Sequence, residues 1–274
     1  MTSMNGGLMT DRVILNNQVA MPLVGFGTWD LRGDSGKRAI LNALETGYRL
    51  IDTAQMYDNE SVVGQAAQES GIAREEIFIT TKVWGSKSFA QVVDSVKESL
   101  DRLQTDYADL VLIHEPYANA LEMYEALTEL HRQGVIRAIG VSNFNQKQFH
   151  ELVKYCEVIP AVNQVESHLF YPQLELQSWL SDFGTHMQSW APFTEGRRDI
   201  FNNTRLIAIA EKYEKTAAQI ALHYLVQNGI AVIPKSSNPE RIRENFALLD
   251  FELNHEDMCE LAKFNEHRSL FNWY

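Results

Sequence analysis

Three short apolar segments of the sequence each end in a side chain that can take part in proton transfer. "RLID" ends at Asp52, "IFITTK" ends at Lys82 and "DLVLIH" ends at His114. A phenol, Tyr57, follows Asp52 by five residues in a polar turn. A phenol has an ordinary pKa near 10, so it exchanges protons poorly at neutral pH unless a neighbour changes that value. These residue types are suited to protonating a substrate oxygen.

In such a site each side chain would have one role. A lysine ammonium about 4 Å from a phenol contributes roughly 4 kcal/mol at an effective dielectric near 20, so Lys82 is expected to lower the pKa of Tyr57. Asp52 would keep Lys82 charged and aimed, and His114 would donate a hydrogen bond to the substrate oxygen. A single strand-end residue of these types more often has no catalytic role. The prediction therefore rests on the presence of all four side chains together.

The elements that must position this set recur along the chain as an amphipathic helix, a glycine and a short β-branched strand. Gly47, Gly134 and Gly229 suit the left-handed position that follows a helix. Eight apolar strands alternate with helices, which favours a (β/α)8 TIM barrel of about 250 residues over an open sheet. No GxGxxG follows the first strand, which argues against a Rossmann domain. One helical face is predicted to carry Val93, Val96, Leu100 and Leu103.

The sequence also predicts what lies at each end of the barrel. In a TIM barrel the active site lies at the carboxyl ends of the strands, where the acid–base set is predicted to lie. The segment "RVILNNQVAMP" has two apolar runs around Asn16 and Asn17 and predicts a hairpin that closes the opposite end. We expect one domain over residues 1–274, with residues 1–10 disordered.

Composition narrows the class of partner. The net charge is -12 and the pI about 5.1, which argues against nucleic acid or an anionic membrane as the main partner. Cys156 and Cys259 have no metal-binding spacing, and no metal is expected. The start "MTSMNGGLMT" does not resemble a signal peptide, and no long apolar run is present. We expect a cytoplasmic monomer that acts on a small molecule.

The segments "GFGTW", "GYRLIDTAQMYDNE", "TTKVW", "LIHEP", "VSNF" and "IPKSSNPERIREN" are similar, in order, to motifs of the aldo-keto reductase family. The resemblance covers nearly the whole chain and is strongest to the compact bacterial branch that includes 2,5-diketo-gluconate and methylglyoxal reductases. It implies an NADPH-dependent reductase of a small carbonyl substrate, with Asp52, Tyr57, Lys82 and His114 as its catalytic tetrad.

The resemblance also implies where the cofactor lies. Ser142, Asn143 and Gln164 match residues that hold the nicotinamide carboxamide, a group that needs both donors and acceptors. Trp190 matches the aromatic side chain that stacks on the nicotinamide ring. From their positions alone, Asn143 could instead cap the following helix and Trp190 could be a core residue.

A second cofactor segment is "IPKSSNPERIREN". Asn238 followed by proline predicts a helix start. Lys235 and Ser236 precede that start and Arg241 lies in the first turn, so two cations, free amides and the helix dipole would suit a 2′-phosphate. A solvated basic turn is the alternative. By resemblance, Arg241 and Asn245 meet the adenosine end.

The sequence departs from the family around the substrate. Glu115 replaces an aromatic residue after His114, while Trp29 and Trp84 match other pocket aromatics. We expect Glu115 to disfavour anionic substrates slightly. The segment 116–121 is short, and "TEGRRDIFNN" does not match the Gly-rich loop that holds the pyrophosphate.

Three other functions are compatible with parts of the pattern. A class I aldolase would use Lys82 as a Schiff base, but the neighbouring Asp, Tyr and His disfavour it. A metal-dependent hydrolase would need clustered histidine ligands, and no His-x-His occurs. An NADPH-binding regulatory barrel with little turnover is the third. The particular carbonyl substrate stays open.

Overall fold

The computed structural model describes residues 11–272, and eight parallel strands in it form one sheet in chain order. The sheet closes on itself, because Val24 forms a parallel bridge with Val232 and the N–H of Gly25 donates to the carbonyl of Val232 at 2.8 Å. This closure confirms the predicted TIM barrel. The strands are β1 (Arg12–Ile14), β2 (Ala20–Pro22), β3 (Phe26–Gly27), β4 (Leu50–Asp52), β5 (Phe78–Val83), β6 (Ala108–Ile113), β7 (Ile136–Ser142), β8 (Val162–Glu166), β9 (His186–Trp190) and β10 (Ala231–Val232), with β3–β10 in the barrel.

Helices pack around the barrel and bury the outer face of its strands. Gly47, Gly134 and Gly229 have φ angles of 122°, 76° and 78°, in the left-handed region that was predicted for them. The helices are α1 (Gly33–Thr46), α2 (Glu60–Glu69), α3 (Phe89–Leu103), α4 (Ala120–Arg132), α5 (Gln146–Val153), α6 (Leu174–Ser181), α7 (Thr204–Lys212), α8 (Ala217–Gln227), α9 (Pro239–Phe246) and α10 (His255–Ala262).

The buried face of α3 differs slightly from the prediction. Val96, Leu100 and Leu103 are buried as expected, but Val93 is only half-buried and Val92 is fully buried. The three-and-four spacing is satisfied by either valine. The face that meets the barrel includes the small Ser95 and Ser99, and sequence periodicity does not predict which polar residues are buried.

The strands β1 and β2 form the predicted antiparallel hairpin. At its turn, Asn16 Nδ2 donates to the carbonyl of Pro160 at 3.3 Å and Asn17 Nδ2 to that of Arg137 at 2.8 Å. Pro160 precedes β8 and Arg137 lies at the start of β7. The hairpin therefore covers the amino ends of the barrel strands. The expectation of disorder for residues 1–10 lies outside the described residues.

A buried carboxylate ties the strands together at the same amino end. Asp109, near the start of β6, is inaccessible to solvent. Its oxygens accept from Arg137 at 2.6 Å, from Arg74 at 2.8 Å and from the backbone N–H of Ile79 at 2.9 Å. A buried charge is tolerated when it is paired and hydrogen-bonded in this way. The cluster is structural and lies at the end opposite the predicted site.

Candidate active site

Lys82 is the centre of the predicted acid–base set. Its Nζ donates to Asp52 Oδ1 at 2.5 Å, to the carbonyl of Thr53 at 3.0 Å and to the Tyr57 hydroxyl at 3.1 Å. An ammonium has three N–H groups, so all of them are used. Lys82 and Asp52 are 0% and 1% exposed. The neighbouring strands β4 and β5 deliver both residues to the carboxyl end of the barrel.

Tyr57 is held by the turn that follows β4. The turn is a short 3₁₀ helix, Gln55–Tyr57, which ends at Asp58 with a φ of 53°. The fully buried Asn59 anchors the chain just after this turn. Its Oδ1 accepts a hydrogen bond from Thr53 Oγ1 at 2.6 Å, and its Nδ2 donates to the carbonyl of Thr28 at 2.7 Å. No role in holding Tyr57 was predicted for Asn59, although it follows Tyr57 by two residues.

The electrostatics of Tyr57 differ from the sequence-based expectation. Burial is the largest influence and raises the pKa of Tyr57, while Lys82 lowers it by less. The net direction is upward, so the predicted fall is wrong. Burial alone would lower the pKa of Lys82, but Asp52 and Tyr57 together raise it. At neutral pH the phenol is therefore protonated and the lysine is charged.

His114 follows β6 and lies beside Tyr57, with 5.9 Å between the ring centroids. Burial first, and Lys82 second, lower the pKa of His114 to about 2, so the ring is neutral. Its Nδ1 is buried and has no hydrogen-bond partner among the described residues. A neutral imidazole carries one N–H, which can orient a substrate oxygen.

A cavity of about 350 Å³ opens at the carboxyl ends of the strands, with Tyr57 and His114 in its wall. Trp29 also lines it and packs edge-on against Tyr57 at 4.9 Å. Trp84 and Glu115 do not line it: Trp84 packs against His114 at 5.0 Å, and Glu115 is bonded to Asn143. Further lining residues are Asp52, Met56, Ser142, Asn143, Gln164, Trp190, Phe193, Glu195, Arg197, Lys235 and Phe271.

Four residues that were predicted to hold a nicotinamide meet at one side of this cavity. Trp190 Nε1 donates to Asn143 Oδ1 at 2.7 Å, and Ser142 Oγ donates to the carbonyl of Gln164 at 2.8 Å. Gln164 Nε2 donates to Asp52 and to Gln188, at 2.7 Å each. The helix-capping alternative for Asn143 is wrong, since Asn145 caps α5.

The predicted phosphate site lies at the start of α9. Lys235 lines the cavity, Lys235 and Arg241 are exposed, and neither has an ion-pair partner among the described residues. Asn238 caps the helix, and its Oδ1 accepts from the N–H of Glu240 at 2.8 Å and of Arg241 at 3.1 Å. The prediction of free backbone amides at this helix start is therefore wrong, and the two cations, Lys235 and Arg241, remain as candidate ligands of a phosphate. Ser236 is half-buried beside them and Asn245 is buried.

Sequence reasoning missed the contribution of the C-terminal segment, residues 269–272. Glu166, fully buried at the end of β8, accepts from Ser269 Oγ and from the N–H of Leu270 at 2.8 Å. Phe271 is thereby placed in the cavity wall, 5.0 Å from Trp190. Only Glu166, a carboxylate at a strand end, gave a signal that could have indicated this contact.

No group of three or more His, Cys, Asp or Glu side chains between residues 11 and 272 could hold a metal ion. Over the same residues no helix is long and apolar enough to cross a membrane.

Fold and site together define a TIM-barrel enzyme with a buried Asp–Lys–Tyr set beside a neutral histidine. The model of the "Aldo/keto reductase family" matches residues 23–266. The chain belongs to the aldo/keto reductase family and is an oxidoreductase. The predicted family is confirmed.

Several relatives are similar over nearly their whole length. The glyoxal reductase of Bacillus subtilis (strain 168) is 41% identical over 261 residues, 94% of each chain. The methylglyoxal reductase of Escherichia coli (strain K12) is 38% identical, over 91% of this chain and 92% of that one.

Among solved structures, an aldo-keto reductase from a Medee basin deep-sea metagenome library has a TM-score of 0.93 at 39% identity, covering 95% of this chain and 97% of that one. A Bombyx mori aldo-keto reductase in complex with NADP has a TM-score of 0.90 at 33% identity, covering 97% of both chains.

Proposed function

We propose that this protein reduces small aldehydes and dicarbonyls to alcohols with NADPH, and that Tyr57 donates the proton. The observation that carries the proposal is the 3.1 Å hydrogen bond from Lys82 Nζ to the Tyr57 hydroxyl, inside a site where Asp52 pairs with Lys82 at 2.5 Å. In this arrangement the Tyr57 hydroxyl can donate its proton, and the Lys82 ammonium can stabilise the phenolate that remains.

The residues around the cavity fit a dinucleotide. Gln164 Nε2 is fully used, whereas its Oε1 accepts no hydrogen bond from the described residues, which matches a carboxamide N–H. Trp190 offers a ring and Ser142 a hydroxyl on the same wall. Lys235 and Arg241, without ion-pair partners in residues 11–272, fit a 2′-phosphate. When bound, the nicotinamide supplies the hydride.

The protein's own groups then perform the rest of the reaction. The neutral His114 orients the carbonyl oxygen of the substrate toward Tyr57. Tyr57 transfers its hydroxyl proton to that oxygen as negative charge develops there. Lys82, held by Asp52, stabilises the phenolate, and proton transfer of this kind typically contributes about 10²–10⁴-fold to a rate.

The relatives named glyoxal and methylglyoxal reductases indicate the substrate class. An α-oxoaldehyde is small and neutral, and it would share the cavity of about 350 Å³ with the nicotinamide, beside Trp29 and Phe271. We infer that such dicarbonyls are preferred over bulky carbonyls.

The test is NADPH oxidation against methylglyoxal, glyoxal, simple aldehydes and keto acids, with wild type and Tyr57→Phe. We expect Tyr57→Phe to lose at least about 100-fold in kcat while its NADPH dissociation constant changes little. Retention of more than about a tenth of kcat would contradict the role of Tyr57. NADPH binding without turnover of any carbonyl would favour the regulatory barrel instead.

A further inference from the structure

A chain of hydrogen bonds joins Glu115 to the wall of the cavity. Asn143 Nδ2 donates to Glu115 Oε1 at 3.0 Å and to the carbonyl of His114 at 3.2 Å. Asn143 Oδ1 accepts from Trp190 Nε1 at 2.7 Å. The carboxylate can only accept, so it fixes which end of the Asn143 amide faces Glu115 and which faces Trp190.

The backbone of Asn143 makes this fixed orientation important. Its φ of 64° is in the left-handed region, which an asparagine tolerates at a cost, and the residue is 2% exposed. Because the residue is buried, water does not compete for the hydrogen bonds of its amide. Glu115 is half-buried and is absent from the cavity wall, so it acts on the cavity through Asn143.

The surroundings of Glu115 leave it as a group that can change charge near neutral pH. Burial is the larger influence and raises the pKa of Glu115 to about 7, while the bond from Asn143 lowers it. On its own segment, the pKa of His114 is lowered to about 2 and that of Tyr117 is raised. The pKa of Lys82, which lies on β5, is raised. None of these three side chains therefore titrates near pH 7.

Other charged groups lie on separate elements. Lys147 and Glu151 of α5 line a groove together with Pro116 and Tyr117. Glu195 lines the cavity. Although Glu195 is exposed, partial burial raises the pKa of its carboxyl as well. It has no hydrogen bond to Asn143, so it provides a matched carboxylate for comparison.

We propose that Glu115 is a positioning residue for Asn143 and Trp190, and that its ionised carboxylate shifts the site toward the oxidised cofactor. This rests on the proposed function, in which Asn143 and Trp190 contact the nicotinamide. The oxidised ring is positively charged and the reduced ring is neutral. A carboxylate one side chain away attracts only the former, while its charge-assisted hydrogen bond holds the Asn143 amide in place.

The experiment measures dissociation constants of NADPH and NADP⁺ for the whole protein between pH 5.5 and 8.5, by fluorescence titration. We expect the ratio Kd(NADPH)/Kd(NADP⁺) to rise about fivefold across pH 7 in the wild type, since a partly screened unit charge has an effect of this size. The 2′-phosphate also titrates, with a pKa of about 6, but it is common to both cofactors and cancels in the ratio.

The variants separate charge from position. Glu115→Gln keeps an acceptor for Asn143 but cannot ionise, so its ratio should not change with pH. Glu195→Gln should keep the wild-type pH dependence. Glu115→Leu removes the acceptor, and we expect it to weaken binding of both cofactors. It should also reduce the quenching of Trp190 fluorescence that a nicotinamide stacked on this ring would cause.

A wild-type ratio that is flat with pH, or a Glu115→Gln ratio that varies as the wild type does, would overturn the inference while leaving NADPH-dependent turnover intact. Loss of the pH dependence in Glu195→Gln would overturn it as well, since the charge would then act from the other carboxylate. If neither cofactor binds, both the inference and the proposed function fail.

Discussion

The ammonium of Lys82 lies 3.1 Å from the Tyr57 hydroxyl, and Lys82 is wholly shielded from solvent. Burial raises the pKa of Tyr57 more than Lys82 lowers it. The phenol is therefore kept in its protonated form at neutral pH. Lys82 then acts when the proton leaves, because the charge on the phenolate forms beside a fixed ammonium.

The first prediction separates the structural and chemical roles of Lys82. Lys82→Met should lower the free energy of unfolding by about 3–5 kcal/mol, because Asp52 becomes an unpaired buried charge. The double variant Lys82→Met with Asp52→Asn should recover most of that loss. Both should lose carbonyl reduction by about 10²-fold or more. Denaturant unfolding and steady-state kinetics check this, and a double variant as unstable as the single one would contradict it.

A second prediction concerns the choice of cofactor. Lys235→Gly combined with Arg241→His should weaken NADPH binding and leave NADH binding nearly unchanged. Each charge-assisted hydrogen bond to a phosphate contributes roughly 1.5–3 kcal/mol, less where solvent screens it. Arg243→His, at an exposed position of the same helix, is the control and should not change the NADPH/NADH affinity ratio. Equal affinity of the wild type for the two cofactors would refute the site.

The third prediction concerns the C-terminal segment. Glu166→Gln keeps one acceptor oxygen but cannot accept from both Ser269 and Leu270 as a carboxylate does. We expect Phe271 to lose its fixed position, so KM for small dicarbonyls should rise several-fold. Phe271→Ala should have a similar effect on KM. An unchanged KM in both variants, measured at saturating NADPH, would show that this segment does not shape the cavity.

A fourth prediction follows from the pKa of Glu115, which is raised from 4.5 to about 7. The folded state then binds this proton more tightly than the unfolded state does, so stability is highest below pH 4.5 for this group and is lost as pH rises toward 7. Because Glu115 is half-buried, we expect only about 1 kcal/mol after screening.

The measurement compares unfolding free energies of wild type and Glu115→Gln at pH 5 and pH 8. The difference between the two proteins isolates Glu115 from His114 and His186, whose lowered pKa values cause stability to fall as pH drops below 6.5. Glu115→Gln should be relatively more stable at pH 8 than at pH 5. No difference between the two pH values would mean that Glu115 is better solvated than the structure indicates, and the opposite order would mean that the folded protein favours the ionised carboxylate.

The barrel and its acid–base set could be predicted because both depend on local patterns. Each strand is a short apolar run, and Asp52, Lys82 and His114 stand at or beside the ends of three such runs. Parallel strands of a barrel bring their carboxyl ends together, so position along the chain was enough to place these side chains.

The sign of the Tyr57 pKa shift could not be predicted in the same way. It depends on how completely the turn buries the phenol, and burial is a property of the packed molecule. The amides at the start of α9 depend on a rotamer of Asn238, and the contact between Glu166 and Leu270 spans 104 residues. Neither the hydrophobic periodicity nor the residue spacing of the sequence indicates the burial of Tyr57, the rotamer of Asn238 or the contact of Glu166.

The ion cluster of Asp109 and the hairpin lie at the amino end of the barrel, and the reacting groups lie at the carboxyl end. Substitutions at distant sites with no shared partners have effects that nearly add. The two ends of the molecule can therefore change independently over evolution. A lineage could gain thermal tolerance at Arg74 or Arg137 and a new substrate at Trp29 or Phe271, without one change constraining the other.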